Sequence, residues 1–178
     1  DQRSKKTYQR RVRRSNIIVM PRHISILFPG QGSQSLGMLN NYSVDLLNSY
    51  KKDITDILGF NLLDIIENGP LEDLNRTSVT QPAILLTSIL DFYHISKELD
   101  LKPNLLCGHS LGEYSALVAA NSISLLEGIS LVHKRGKLME NCPKGAMCAV
   151  LNTDIKIIRD ICVEVENDIN TIVTPANL

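Results

Sequence analysis

The sequence predicts an α/β fold with parallel strands, and three observations carry that expectation. Short apolar runs of strand length alternate with segments whose apolar residues recur at helical spacing. Two of those runs lead through glycine-bearing loops into helical segments. Hydrophobic residues make up 43% of the 178, enough for a sizeable core. Aromatics are only 4% and Trp is absent, so Leu, Ile and Val must fill that core.

The elements follow in order. Residues 23–28 (HISILF) read as a short buried strand, running into the loop 29–34 (PGQGSQ). Leu46, Leu47, Tyr50, Ile54, Ile57 and Leu58 then recur on one helical face. A second short helix, residues 62–67, stops at Asn68-Gly69-Pro70. Thr80-Gln81-Pro82 is expected to open a helix that runs to about Leu99, with Pro early, where its missing N–H costs little. That helix is apolar over much of its circumference and should be buried. Leu105-Leu106-Cys107 is the next strand, and a helix rich in small residues follows from Tyr114. Ser124-Leu125-Leu126-Glu127 is a capping box, and its helix runs toward Met139. Asn141, Pro143 and Gly145 break the chain there, and a subdomain boundary is expected between Asn141 and Gly145. Residues 146–151 and 171–174 are expected as strands around a helix from Thr153 to about Glu166.

Net charge is +0, but its distribution is uneven. Residues 1–22 carry eight Lys/Arg against one acid; the rest holds 11 basic and 18 acidic residues. The acidic body excludes nucleic-acid binding by charge. The head is expected to be disordered, because a charge block without apolar partners cannot pack; Met20 is a candidate natural initiator. Cys107, Cys142, Cys148 and Cys162 form no C-x-x-C pair, no histidine stands at zinc-finger spacing, and free thiols are expected. No apolar run reaches the roughly 18 residues that would span a bilayer.

Chemistry concentrates in Gly108-His109-Ser110-Leu111-Gly112-Glu113. This is G-x-S-x-G between a strand and a helix, the pattern of a nucleophile elbow. The N–H of Leu111, at the start of the following helix, is placed to supply half of an oxyanion hole. The competing reading is a glycine-rich turn with an incidental serine. The 29–34 loop fails as a dinucleotide fingerprint, because Ser35 stands where the third glycine belongs, and no Lys-Ser/Thr follows to make a P-loop. It either offers backbone N–H groups to an anion or oxyanion or is a plain connection. Arg135, in a charged run, reads by itself as a solvated helix face. His23, His94, His109 and His133 read as structural or surface residues, and none is a convincing base for Ser110.

Taken together, Phe28-Pro29-Gly30-Gln31-Gly32-Ser33-Gln34, Thr80-Gln81-Pro82-Ala83, Gly108 through Leu117, and Arg135-Gly136-Lys137-Leu138-Met139 resemble, in this order, malonyl-CoA:acyl carrier protein transacylases of bacterial type II fatty acid synthesis. The resemblance implies a hydrolase-like parallel-sheet core carrying the elbow. It places residues 23–144 in that core and 145–178 in the first half of an inserted ferredoxin-like subdomain. It also implies a ping-pong acyl transfer. Ser110 would take malonyl from malonyl-CoA as an ester, and the phosphopantetheine thiol of acyl carrier protein would then receive it. The backbone N–H groups of Gln31 and Leu111 would form the oxyanion hole. Arg135 would pair with the malonyl carboxylate, and Gln81 would line or support the site. CoA is a substrate here; no metal or redox cofactor, no nucleic acid and no membrane is implied. In the family the catalytic histidine lies well C-terminal of the serine, so the resemblance implies a base beyond Leu178 and an incomplete core. The chain alone is then expected to show little or no turnover.

Two rivals share parts of this pattern. A serine esterase of the α/β-hydrolase class shares the elbow but gives Arg135 no reason to matter. A non-catalytic carrier-protein docking fragment would bind without forming an acyl-enzyme. The expected setting is bacterial cytoplasm, with a plastid or mitochondrion as alternatives.

Overall fold

β1 (Ser25–Phe28) and β2 (Leu105–Gly108) pair in parallel, Ser25 opposite Leu105 and Phe28 opposite Gly108. Parallel neighbours cannot be joined by a tight turn, and here four helices fill the connection. They are α1 (Val44–Leu58), α2 (Leu62–Asn68), the single turn α3 (Leu71–Leu74) and the long α4 (Thr77–Glu98). After β2 come α5 (Gly112–Ala119), α6 (Leu125–Glu140) and α7 (Ile155–Ile169). This computed structural model describes residues 23–143 and 145–176, which divide into two units between Cys142 and Pro143. The basic head expected over residues 1–22, Met20 included, lies outside the described residues. Two parallel strands joined through helices make the first unit α/β, as the alternating pattern predicts.

Local chemistry sets the boundaries. The Ser43 hydroxyl accepts from Leu46 N at 3.3 Å to start α1, and Gly59 ends it at φ 81. The capping box at α6 is complete: Glu127 N donates to Ser124 Oγ at 3.2 Å, and Ser124 N donates to Glu127 Oε2 at 2.8 Å. α4 is the core of the first unit. Every residue from Ser78 to Leu86 is buried, with Ile89 and Leu90. α6 is its main neighbour and α5 packs on it as well. Alternation along β1 turns Phe28 inward, with its ring centroid 5.8 Å from that of Phe92 on α4, while Leu27 stays exposed.

Three details differ from the sequence expectation. α4 begins at Thr77, not at Thr80, so Pro82 sits inside the helix rather than in its opening residues. Its first turn receives no cap from Arg76, the preceding residue; the partners come from α6, as described below. Residues 145–151 and 171–176 are irregular, not strands. A strand persists only where a neighbour takes its backbone N–H and C=O groups. Among the described residues of the second unit, α7 is the one regular element. α7 itself is capped by Asp154, which accepts from Lys156 N at 2.8 Å, and none of its residues is buried.

Candidate active site

The elbow is tight for steric reasons. β2 ends at Gly108, α5 starts at Gly112, and Ser110 turns between them at φ 56, in the left-handed region that side chains seldom occupy. A Cβ at Gly108 would overlap the backbone of Gly112 and Glu113, and one at Gly112 would overlap the Phe28 carbonyl. Both glycines of the motif are therefore required by the approach of backbone to backbone. His109 N donates to Phe28 O at 3.3 Å, and Gly112 N to His109 O at 2.9 Å. The strain holds Ser110 at the tip, half-buried.

α6 brings Arg135 to that tip. Its Nη2 donates to Ser110 Oγ at 2.9 Å and its Nη1 to Gln81 Oε1 at 2.8 Å. The guanidinium carbon stands 5.9 Å from the Tyr114 ring centroid, within cation–π range. Arg135 is half-buried, not the solvated helix residue that its charged neighbours suggest. Among the described residues no carboxylate pairs with it. A partly desolvated guanidinium held only by neutral oxygens is a site for an anion.

Gln81 ties the site together. It is fully buried on α4, and its Nε2 donates to Gln31 Oε1 and to Met139 Sδ, both at 3.3 Å. Gln31 Nε2 reaches Thr77 Oγ1 at 3.4 Å. Gly30 packs against His109, whose carbonyl and Nδ1 would each lie 3.1 Å from a Cβ there. The 29–34 loop thus lies against the elbow, and Ser110, Arg135, Gln81 and Gln31 form one connected network. Among the described residues no backbone acceptor takes the N–H of Gln31 or of Leu111 in the loops and caps. No histidine bonds to Ser110 among these residues. His133 is buried on α6 and engages the Ser78 carbonyl, with Nδ1 to O at 2.8 Å. Among the described residues no group of three or more His, Cys, Asp or Glu could hold a metal ion. Grooves of about 230 Å³ beside Tyr42 and Lys51, and of about 220 Å³ beside Phe28 and Phe92, contain none of Ser110, Arg135 and Gln81.

Sequence reasoning gave no role to Tyr114, Thr77, Ser78, Met139 or Glu140. Tyr114 and Met139 stand inside the motifs, and helical spacing from Ser110 and Arg135 would have placed both near the site. Ser78 and Glu140 carry no local signal, because the groups that satisfy the start of α4 stand on α6, far away in the chain.

A family model described as the acyl transferase domain matches residues 26–175. The chain is 41% identical over 149 residues to the malonyl CoA-acyl carrier protein transacylase of Haemophilus influenzae, covering 80% of this chain and 47% of that protein. It is 37% identical over 158 residues to the protein of the same name in Escherichia coli K12, covering 86% of this chain and 50% of the relative. A solved acyl carrier protein S-malonyltransferase from Vibrio cholerae superposes with a TM-score of 0.69 at 39% identity, over 79% of this chain and 48% of that one. The chain therefore spans about half the length of these relatives.

Proposed function

The chain belongs to the acyl transferase domain family, and from that premise we propose that it carries the nucleophile and the substrate-selecting half of a malonyl-CoA:acyl carrier protein transacylase. The observation that carries the proposal is Arg135, a half-buried guanidinium without a carboxylate partner among the described residues, 2.9 Å from the elbow serine. A simple esterase has no use for a cation there. A diacid does: once malonyl is esterified to Ser110, its free carboxylate returns toward the Arg135 fork and replaces the bond Arg135 now gives to Oγ.

Each remaining residue has a chemical part. Ser110 Oγ attacks the thioester carbonyl carbon, the C–S bond breaks, and CoA leaves as its thiol. The Ser110 proton passes to a base, which hands it to the departing CoA sulfur; this reading takes that base from a part of the relatives' length that the chain does not span. The N–H groups of Leu111 and Gln31 stabilise the tetrahedral oxyanion, the first helped by the positive end of α5. In the second half-reaction the carrier thiol gives its proton to the same base and attacks the ester carbonyl; the C–Oγ bond breaks, the proton returns to Ser110 Oγ, and malonyl leaves on the carrier sulfur. Gln81 orients the Arg135 fork. CoA serves as substrate, and the reading needs no metal or redox cofactor. The same reading takes the first unit as part of a hydrolase-like core and residues 145–178 as part of a ferredoxin-like subdomain. It also sets the protein in the cytoplasm of a bacterium; no described helix is long and apolar enough to cross a membrane.

The test compares malonyl-CoA, acetyl-CoA and a simple ester on the full-length natural protein and on Arg135→Ala. Losing one partner of a partly buried charge-assisted pair costs about 2–4 kcal/mol, which is roughly 30-fold to several hundredfold. That loss is expected in kcat/KM for malonyl-CoA alone. An equal loss for acetyl-CoA, or efficient ester hydrolysis by both forms, would favour the esterase reading. Carrier binding without any acyl-enzyme would favour a docking role.

A further inference from the structure

α6 holds one residue of α4, Ser78, by both of its backbone polar groups. Pro82 has no N–H, so the helical bond that would end on the carbonyl four residues earlier, that of Ser78, cannot form. That carbonyl is buried, and an unpaired buried carbonyl is unfavourable. His133 Nδ1 takes the place of the missing donor at 2.8 Å. On the other side of the same residue, Ser78 N is one of the orphan donors at a helix start. It donates to Glu140 Oε1 at 2.7 Å, and Arg76 Nη2 lies 3.9 Å from the other carboxylate oxygen. His133, Gly136 and Glu140 fall on one face of α6. Gly136 lets the helices close, since a Cβ there would stand 2.5 Å from Ser78 Cα and 2.7 Å from Thr77 O.

We propose that His133 and Glu140 are positioning residues that clamp Ser78 and so fix the Gln81–Arg135 pair. The position of the clamp makes the case. Gln81 lies one turn along α4 from Ser78, and Arg135 lies between His133 and Glu140 on α6. The 2.8 Å bond from Arg135 to Gln81 spans the same helix–helix contact. A small slide of α4 along α6 would break it and turn the guanidinium away from Ser110. The bond to Ser78 O requires the His133 tautomer with hydrogen on Nδ1. Its Nε2 is buried without a partner among the described residues, and the Phe60 ring packs edge-on with centroids 5.7 Å apart.

The link from clamp to substrate rests on the proposed malonyl transfer; the clamp itself does not. The experiment uses the full-length natural protein and His133→Leu, His133→Asn and Glu140→Gln. Asn places an amide N–H near the position of Nδ1, and Gln keeps an acceptor for Ser78 N. In the wild type, nitrogen NMR of the His133 ring is expected to show hydrogen on Nδ1 and none on Nε2. His133→Leu is expected to shift the Gln81 side-chain amide and Arg135 Nε resonances and to lower the preference for malonyl-CoA over acetyl-CoA about tenfold, chiefly through KM. His133→Asn and Glu140→Gln are expected to retain most of both. The opposite tautomer overturns the clamp. So does a His133→Leu protein that melts earlier while its malonyl preference and its Gln81 and Arg135 signals stay unchanged. A wild type that transfers no malonyl sinks the functional reading, and the NMR signals then decide the clamp separately.

Discussion

Replacing Gly136 by Ala sets two effects of opposite sign against each other. Gly136 lies inside α6, where Ala is favoured over Gly by about 1 kcal/mol of helix propensity. On that ground alone the variant would be more stable. The structure predicts the reverse. The new methyl would start 2.5 Å from Ser78 Cα and 2.7 Å from Thr77 O, whereas carbon atoms rest about 3.5–4.0 Å apart. The obstacle is backbone, which cannot swing aside as a side-chain tip can, so the helices must separate by about 1 Å. Overpacking of this kind costs about 1–3 kcal/mol. The same separation stretches the bonds from His133 to Ser78 O and from Ser78 N to Glu140, now 2.8 and 2.7 Å, beyond bonding range. Each is worth about 1 kcal/mol. The net expectation is a loss of about 2–4 kcal/mol, a fall in Tm on the order of 5–15 °C. Thermal and urea unfolding followed by circular dichroism measure it. Unchanged or higher stability in Gly136→Ala would refute the close-approach argument.

Two further predictions follow from the network. Gln81→Leu removes an acceptor from Arg135 and a donor from Gln31 in a fully buried position; activity toward malonyl-CoA should fall about 10- to 100-fold, near the ~1.4–3 kcal/mol expected for a bond to a charged group. Steady-state kinetics of the full-length protein check it, and an unchanged KM would count against the orienting role. Burial pushes the Glu140 carboxyl up, but the Ser78 bonds, with the nearby Arg76 charge, outweigh it and hold the pKa below the ordinary glutamate value. A carboxyl whose folded pKa is depressed stabilises the fold above its unfolded pKa, and that stabilisation is lost as pH falls through the folded one. The stability gap between wild type and Glu140→Gln should therefore be full at pH 7 and shrink through the acid range below the usual glutamate pKa. Urea midpoints at several pH values read it, and a gap independent of pH would refute it.

What the sequence disclosed and what it withheld have physical causes. The elbow was legible because its glycines are demanded by backbone overlap at Gly108 and Gly112, a constraint local in the chain. The Ser124 capping box was legible for the same reason, both partners lying within one turn. The buried length of α4 could be read from its nearly continuous apolar circumference. Its start could not, because the groups satisfying Ser78 come from α6, 55 and 62 positions away. Taken by itself Arg135 reads as a surface residue, because a charged run gives no sign of which member turns inward; only the family resemblance singles it out. Residues 146–151 and 171–174 have strand-like composition, yet β structure depends on a neighbour and cannot be read from one segment.

The central claim is that Ser110 carries a malonyl ester held by Arg135. It is tested most directly by incubating the full-length natural protein with malonyl-CoA, trapping by acid, and mapping the adduct by peptide mass spectrometry. The account predicts one malonyl group on the peptide containing Ser110. It predicts no adduct in Ser110→Ala, and in Arg135→Ala a malonyl yield reduced far below that from acetyl-CoA. A malonyl adduct on another residue, or equal malonyl and acetyl loading in the wild type, would contradict it.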